Sequence, residues 1–343
     1  MVARTRTSER SRADAAVLSR ARGCLMGQVA GDALGSLVEF RSAEEIERSH
    51  PGGVREMAVS PVWSTLPGQP TDDSELAILL ARSLVERGTY DADAAAAAYA
   101  YWYSTAPYDM GQTTRQALSA AAATPSAPAR AARHAASRDS QANGSLMRCS
   151  PIGILGWRAS SARVADWART DSELTHPHVL CQEACAAFVI AIAEAIARGG
   201  PAERVYGVAL GWCEKESRDT GVVELMREAA ETPPANASHR MGWVRIAFQN
   251  AFHQLLHAAD AGEAIRKTVA LGGDTDTNAA IAGALSGALH GIESLPASWT
   301  QAVLSCRPES GLPGVRRPRP QRLWAIDLPE LASALVDAGP AGG

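Results

Sequence analysis

Gly272-Gly273-Asp274-Thr275-Asp276-Thr277-Asn278-Ala279-Ala280-Ile281-Ala282-Gly283-Ala284-Leu285-Ser286-Gly287-Ala288-Leu289-His290 decides the fold. The paired glycines form a turn, and the small and apolar residues behind them predict a helix buried on most faces. The mouth of that helix presents three hard oxygen ligands, Asp274, Asp276 and Thr277, at the edge of the interior. Unpaired buried carboxylates are very costly, so a metal ion, a basic partner or open solvent must satisfy them. The nearest basic residues along the chain are Lys267 and Arg266.

Helical periodicity continues in both directions, from Ala15 to Leu335, without a convincing run of alternating β-branched residues. The expected fold is therefore all-α, a single domain over residues 15–338 behind a disordered basic tail at 1–14. Gly23, Gly27, Gly31 and Gly35 recur every fourth residue, which clears one helix face and lets a neighbouring backbone approach closely. Further helices are predicted at Asp72–Arg87, Asp91–Ser104, Thr113–Ala122, Val179–Arg198, Trp243–Ala259 and Ala261–Leu271. The stop after Arg198 is explicit: a cation in the last turn, then Gly199, Gly200 and Pro201. Loops are expected at residues 51–70, 124–143, 231–238 and 307–321. Arg316, Arg317, Arg319 and Arg322 near the last of these read either as a solvated loop or as an anion site.

With 343 residues and a net charge of −4, the chain can bury a sizeable core and carries no global electrostatic case for nucleic acid or an anionic membrane. The six cysteines sit mostly within apolar helical patterns and read as reduced core thiols. The arginine-rich start lacks the apolar core of a secretory signal. The stretch from Cys24 to Val38 is interrupted by Gln28 and Asp32 and is too short to span a bilayer. A cytoplasmic location is expected.

Thr71-Asp72-Asp73-Ser74-Glu75 forms a second acidic cluster ahead of an apolar run. Taken alone it reads as a helix start, with Thr71 as N-cap and the acids favoured by the helix dipole. Asp274-Thr275-Asp276-Thr277-Asn278 imitates the opening of a calcium loop, but Ala279 stands where glycine belongs and Leu285 where a bidentate glutamate belongs. Mg²⁺ or Mn²⁺ suits these ligands better. Asn143-Gly144-Ser145-Leu146-Met147-Arg148 is an ordinary turn or a phosphate cradle. Thr175-His176-Pro177-His178 and Asp109-Met110-Gly111-Gln112-Thr113-Thr114 both read locally as helix caps.

In their order, Gly31-Asp32-Ala33-Leu34-Gly35 with Glu39, then Thr-Asp-Asp-Ser-Glu, Asn-Gly-Ser-Leu-Met-Arg, Thr-His-Pro-His and Gly-Gly-Asp-Thr-Asp-Thr, these motifs resemble the ADP-ribosylglycohydrolase family, relatives of dinitrogenase reductase-activating glycohydrolase. The resemblance covers about Gly23 to Leu335. It implies a compact single-domain orthogonal helical bundle with two Mg²⁺ or Mn²⁺ ions at the base of a cleft, held by Thr71, Asp72, Asp73, Asp274, Asp276 and Thr277. Glu39, Asp109 and Asp73 are the implied catalytic residues. Asn143, Gly144, Ser145 and Met147 match the loop that holds the diphosphate and its ribose, His176 lies in a cleft-lining segment, and Trp243 falls where an adenine-stacking aromatic is usual. The implied reaction cleaves the N-glycosidic bond between ADP-ribose and a protein side chain, with ADP-ribose as product. Asp109 favours arginine as the modified residue. Serine-linked ADP-ribose, O-acetyl-ADP-ribose, a phosphoesterase activity and a non-catalytic ADP-ribose-binding role are the alternatives. Implied partners are an ADP-ribosylated protein and its cognate ADP-ribosyltransferase or toxin, with no nucleic acid and no membrane.

Overall fold

Helix α1 (Ala3–Gly35) and the helix of the quoted stretch, α14 (Thr275–His290), lie along each other through their glycines. A Cβ on Gly27 would stand 2.2 Å from the Gly283 carbonyl oxygen, and one on Gly283 would stand 2.2 Å from that of Gly27. Gly23 meets Gly287, Gly31 meets Ala279 and Gly35 meets Thr275 with the same closeness. The four-residue spacing therefore serves one contact, which brings the carboxyl end of α1 to the amino end of α14.

The computed structural model describes residues 3–340 except Asn236, with side chains from residue 15 onward; the side chains of the segment expected to be a basic tail lie outside that range. Between the paired helices the chain forms α2 (Ala43–Ser49), α3 (Asp72–Arg87), α4 (Ala92–Ser104), α5 (Gln112–Ala123), α6 (Pro128–Ala135) and α7 (Ser150–Leu155). Then follow α8 (Ser161–Glu173), α9 (Val179–Arg198), α10 (Ala202–Glu216), α11 (Thr220–Glu231), α12 (Val244–His257) and α13 (Ala261–Ala270). Two further helices, α15 (Ala297–Ser305) and α16 (Leu328–Ala338), close the described chain. No strand occurs among the described residues, only two isolated bridges, Ser42 with Gly272 and Ala142 with Trp243.

Helix α14 also packs on α12, α13 and α9, and α9 in turn is flanked by α7, α8 and α10. By length and composition α9 is apolar enough to cross a bilayer, more so than the Cys24–Val38 stretch, yet protein surrounds it. All six cysteines are free and buried.

Two local expectations are corrected. The segment 124–143 contains α6, because Pro128 sits in the first helical turn, where its missing N–H costs nothing, and Ala129 and Ala132 pack inward. The Arg-rich segment near the carboxyl end is tied down: the Arg319 guanidinium is buried and grips both oxygens of Glu75 at 2.7 Å. The Trp102 indole donates to the same carboxylate at 2.7 Å.

Candidate active site

Both acidic clusters lie at helix amino ends, where unpaired backbone N–H groups and the dipole favour negative charge. The glycine contact delivers α14. Gly272 and Gly273 adopt left-handed φ values of 73° and 82°, and a Cβ on either would meet backbone atoms, of Arg41 and Ala237 respectively. Their turn pairs with the chain leaving α1 through Phe40 N–H to the Gly273 carbonyl and Gly273 N–H to the Arg41 carbonyl, both 2.8 Å. Glu39 is thereby carried to the mouth of α14.

Helix α3 is delivered by a residue that sequence reading assigned no role. Thr71 occupies the N-cap position, but its side chain does not cap. Asp32 of α1 caps instead: Oδ1 accepts from the Thr71 N–H and hydroxyl, each at 2.9 Å, and Oδ2 accepts from the Ser74 N–H at 3.1 Å. The local signal was a carboxylate within an otherwise small and apolar helical run. The stretch 109–114 does cap a helix, though not through Asp109. Gly111 holds the N-cap position of α5, and Asp109 faces the carboxylates.

Above the cluster opens a cleft of about 820 Å³, within the usual range for small-molecule sites. Glu39, Asp72, Asp109, Asn143, Gly144, Met147, His176, Trp243, Asp274 and Thr277 line it. Thr71, Asp73 and Asp276 are buried beside these and do not reach the wall. Ser145 is not part of the wall: it is completely buried, and its hydroxyl accepts from Ser172 at 2.9 Å in the interior. Asn143 joins the two sides of the site, donating its amide to Asp274 Oδ2 at 2.7 Å. Trp243 N–H bonds to Gln141 at 2.9 Å, with the guanidinium groups of Arg240 and Arg245 each within 5.5 Å of its ring centre.

No ion pair reaches Glu39, Asp72, Asp73, Asp109, Asp274 or Asp276 among the described residues. Asp73 Oδ1 and Asp276 Oδ2 are buried and accept no hydrogen bond. Carboxylate oxygens of Glu39, Asp274 and Asp276 lie within 4.8 Å of one another. Burial first, then mutual repulsion, pushes Asp72, Asp73 and Asp276 well above the usual carboxylate range. Burial, with Asp109 and Asp274 adding to it, raises Glu39 to about 8. Burial raises Asp109 to about 6, opposed by its hydrogen bond with Asp72. Such a set of hard, orphaned oxygen donors without a basic partner fits divalent cations.

The histidine of the other wall is neutral. Burial and then Arg148 depress His176 to about 3, so its imidazole carries no charge. A Cβ at position 144 would come within 2.8 Å of that ring, so glycine is required for the histidine to sit against the loop. At the rim Phe40 is 57 % exposed, held at φ 68°, a costly conformation for a bulky residue. Its ring meets Trp63 edge-on at 6.2 Å, Trp63 lies 6.0 Å from Tyr108, and the Trp63 indole N–H donates to Glu39. The indole contact and the Asp32 cap both come from segments distant in sequence from the groups they hold.

The profile of the ADP-ribosylglycohydrolase family matches residues 13–338. ADP-ribosyl-dinitrogen reductase glycohydrolase of Rhodospirillum rubrum is 30 % identical over 286 residues, covering 82 % of this chain and 90 % of that one. ADP-ribosylarginine hydrolase Tri1 of Pseudomonas putida is 25 % identical, covering 94 % and 79 %, and ADP-ribosylhydrolase ARH3 of Homo sapiens is 27 % identical, covering 83 % and 89 %. A solved ADP-ribosylglycohydrolase-related protein complex superposes with a TM-score of 0.74 at 27 % identity, over 94 % of this chain and 99 % of that one. With a family match across nearly the whole chain and the acidic clusters meeting under one cleft, the chain belongs to the ADP-ribosylglycohydrolase family, hydrolases of ADP-ribose linkages.

Proposed function

We propose that this protein hydrolyses the N-glycosidic bond between ADP-ribose and a protein arginine, using two Mg²⁺ or Mn²⁺ ions held by Thr71, Asp72, Asp73, Asp274, Asp276 and Thr277. The observation that carries the reading is the pair of buried, unpartnered oxygens, Asp73 Oδ1 and Asp276 Oδ2, contributed by two different helix amino ends. Divalent ions there supply positive charge and acidify water.

In the reaction, water oxygen bonds to the anomeric carbon, the carbon–nitrogen bond breaks through an oxocarbenium-like transition state with its electron pair going to nitrogen, and the departing guanidine takes up a proton from solvent that balances the one the water gives up. Glu39 accepts the water proton, and the Trp63 indole fixes which way its carboxylate faces. Asn143, anchored on Asp274, sets the dinucleotide relative to the acids. The Gly144 loop, His176 and Arg240 meet the diphosphate, and Trp243 meets the adenine.

Preference for arginine rests on the other end of the cleft. Asp109 offers a carboxylate for bidentate pairing with a guanidinium, and the exposed face of Phe40 beside Trp63 offers aromatic surface on which a planar cation stacks. A turnover assay with arginine-linked, serine-linked and O-acetyl ADP-ribose in Mg²⁺, Mn²⁺ or EDTA tests the proposal. Release of intact ADP-ribose from the arginine substrate, abolished by EDTA and by Asp274→Ala, is expected. Turnover of only the serine substrate removes the arginine assignment, undiminished turnover in EDTA removes the metal, and AMP as product makes the protein a phosphoesterase.

A further inference from the structure

Arg148 closes the Asn-Gly-Ser-Leu-Met-Arg motif and is buried completely against Asp171. Its Nε donates to Asp171 Oδ2 at 3.0 Å and its Nη2 to the Asp171 carbonyl at 2.9 Å. Nη1 donates to the Gly144 carbonyl at 3.2 Å and to Thr175 Oγ1 at 2.8 Å. The Tyr99 hydroxyl donates to Asp171 at 2.8 Å, and the guanidinium lies 4.5 Å from the centre of the Tyr99 ring. A buried ion pair contributes little stability beyond what an apolar cluster of the same shape would supply. Its geometry shows what it positions instead.

Counting protons settles the direction of the next bond. A guanidinium only donates, so Thr175 Oγ1 accepts from Arg148 and keeps its own proton for another partner. Thr175 is completely buried, and among the described residues its hydroxyl proton has no acceptor in hydrogen-bonding reach other than His176 Nδ1, 2.8 Å away; an Nδ1–H donated to Thr175 would strand that proton. Nδ1 therefore accepts, and in a neutral ring the single imidazole proton belongs to Nε2. The Nε2 side abuts the cleft wall, where a Cβ at position 144 would lie 3.1 Å from it.

We infer that Arg148 and Thr175 act as positioning residues that hold His176 in the Nε2–H tautomer, so that it donates a hydrogen bond into the cleft toward an oxygen of the dinucleotide's diphosphate. The diphosphate clause rests on the proposed ADP-ribose site; the tautomer does not. The same guanidinium holds the Gly144 carbonyl, so one buried cation orients both the histidine and the loop across from it.

Nitrogen-15 spectra of histidine-labelled protein, with the His176 signal assigned by its loss in His176→Gln, read the tautomer directly. The Nε2–H form is expected with or without ADP-ribose, and the Nδ1–H form overturns the inference. Thr175→Val preserves the side-chain shape and removes the relay; ADP-ribose affinity measured by calorimetry with Mn²⁺ should fall about tenfold, as for loss of a hydrogen bond to a charged group. Thr175→Ser should restore both affinity and spectrum. Unchanged affinity in folded Thr175→Val, or failure of serine to rescue, also overturns the inference. Wild-type protein that shows the Nε2–H form but binds no ADP-ribose overturns the diphosphate clause together with the proposed function.

Discussion

Asp32 caps a helix to which it does not belong: both oxygens of this α1 residue accept hydrogen bonds from the first turn of α3, including the N–H and hydroxyl of Thr71. Asp32→Ala removes the cap and leaves the Thr71 hydroxyl with only its 3.0 Å contact to Asp73 Oδ2. The variant should lose about 2 kcal/mol in urea unfolding and about 10–100-fold in Mn²⁺ affinity by calorimetry. Wild-type Mn²⁺ affinity in the variant would show that Thr71 needs no support.

Glu39→Gln retains the size of the side chain and removes its basicity. Turnover of the arginine-linked substrate should drop by about 10²–10⁴ with ADP-ribose affinity nearly unchanged, the signature of a lost proton acceptor. A loss confined to KM would assign Glu39 to binding.

Stability should respond to pH in a sense opposite to that of salt-bridged acids. Glu39, Asp32 and Asp109 are raised to about 8, 7 and 6, above the roughly 4 of an unfolded chain. The folded protein thus holds protons that the unfolded chain has released, and its metal-free stability falls as pH rises through that window. In EDTA the melting temperature should decline from pH 5.5 to 8.5, and Mn²⁺ should raise it more at the upper end, because the carboxylates must deprotonate to bind. A melting temperature in EDTA that climbs across the range would contradict the buried acidic cluster.

The helix pair predicts two opposite glycine substitutions. Gly27→Ala drives a methyl into the Gly283 carbonyl and should cost more than about 3 kcal/mol. Gly207→Ala, in α10 with nothing within 4 Å, should stabilise by about 0.5–1 kcal/mol through helix propensity. Thermal or urea unfolding of both reads the contrast, and equal effects would mean that α1 and α14 separate without penalty.

Arg319→Ala strands the Glu75 carboxylate in the interior, a loss of about 3–5 kcal/mol. Replacing both residues with apolar side chains of similar volume should return most of that loss. A single variant as stable as the wild type would mean that this segment contributes nothing to the core.

What could be read from the sequence divides along the line between local and distant partners. Helix α3 was predicted from Asp72 to Arg87 and α9 from Val179 to Arg198, as observed, because their acids, cations and terminal glycines act within a single turn. Helix α2 was overlooked despite a legible signal, the reciprocal bonds of Ser42 and Glu45 that form a capping box. The carboxylates of the site announced themselves by adjacency. The groups that orient them did not: Asp32 acts on Thr71 across 39 positions, Trp63 on Glu39 across 24 and Arg319 on Glu75 across 244. A residue whose partner lies on another helix leaves no periodic trace, which is also why Arg148 read as the end of a turn and Arg319 as part of a solvated loop.

The close seam between α1 and α14 also sets an order of events during synthesis. The glycine face of α1 is made early, while the backbone it must touch and the carboxylates of residues 274–277 emerge almost 250 residues later. A nascent chain therefore carries one of the two acidic clusters, and only closure of its two ends brings the other beside it. Because a ligand stabilises only the state that binds it, the divalent ions proposed for this site would reward the finished chain alone and so act as a checkpoint on its closure.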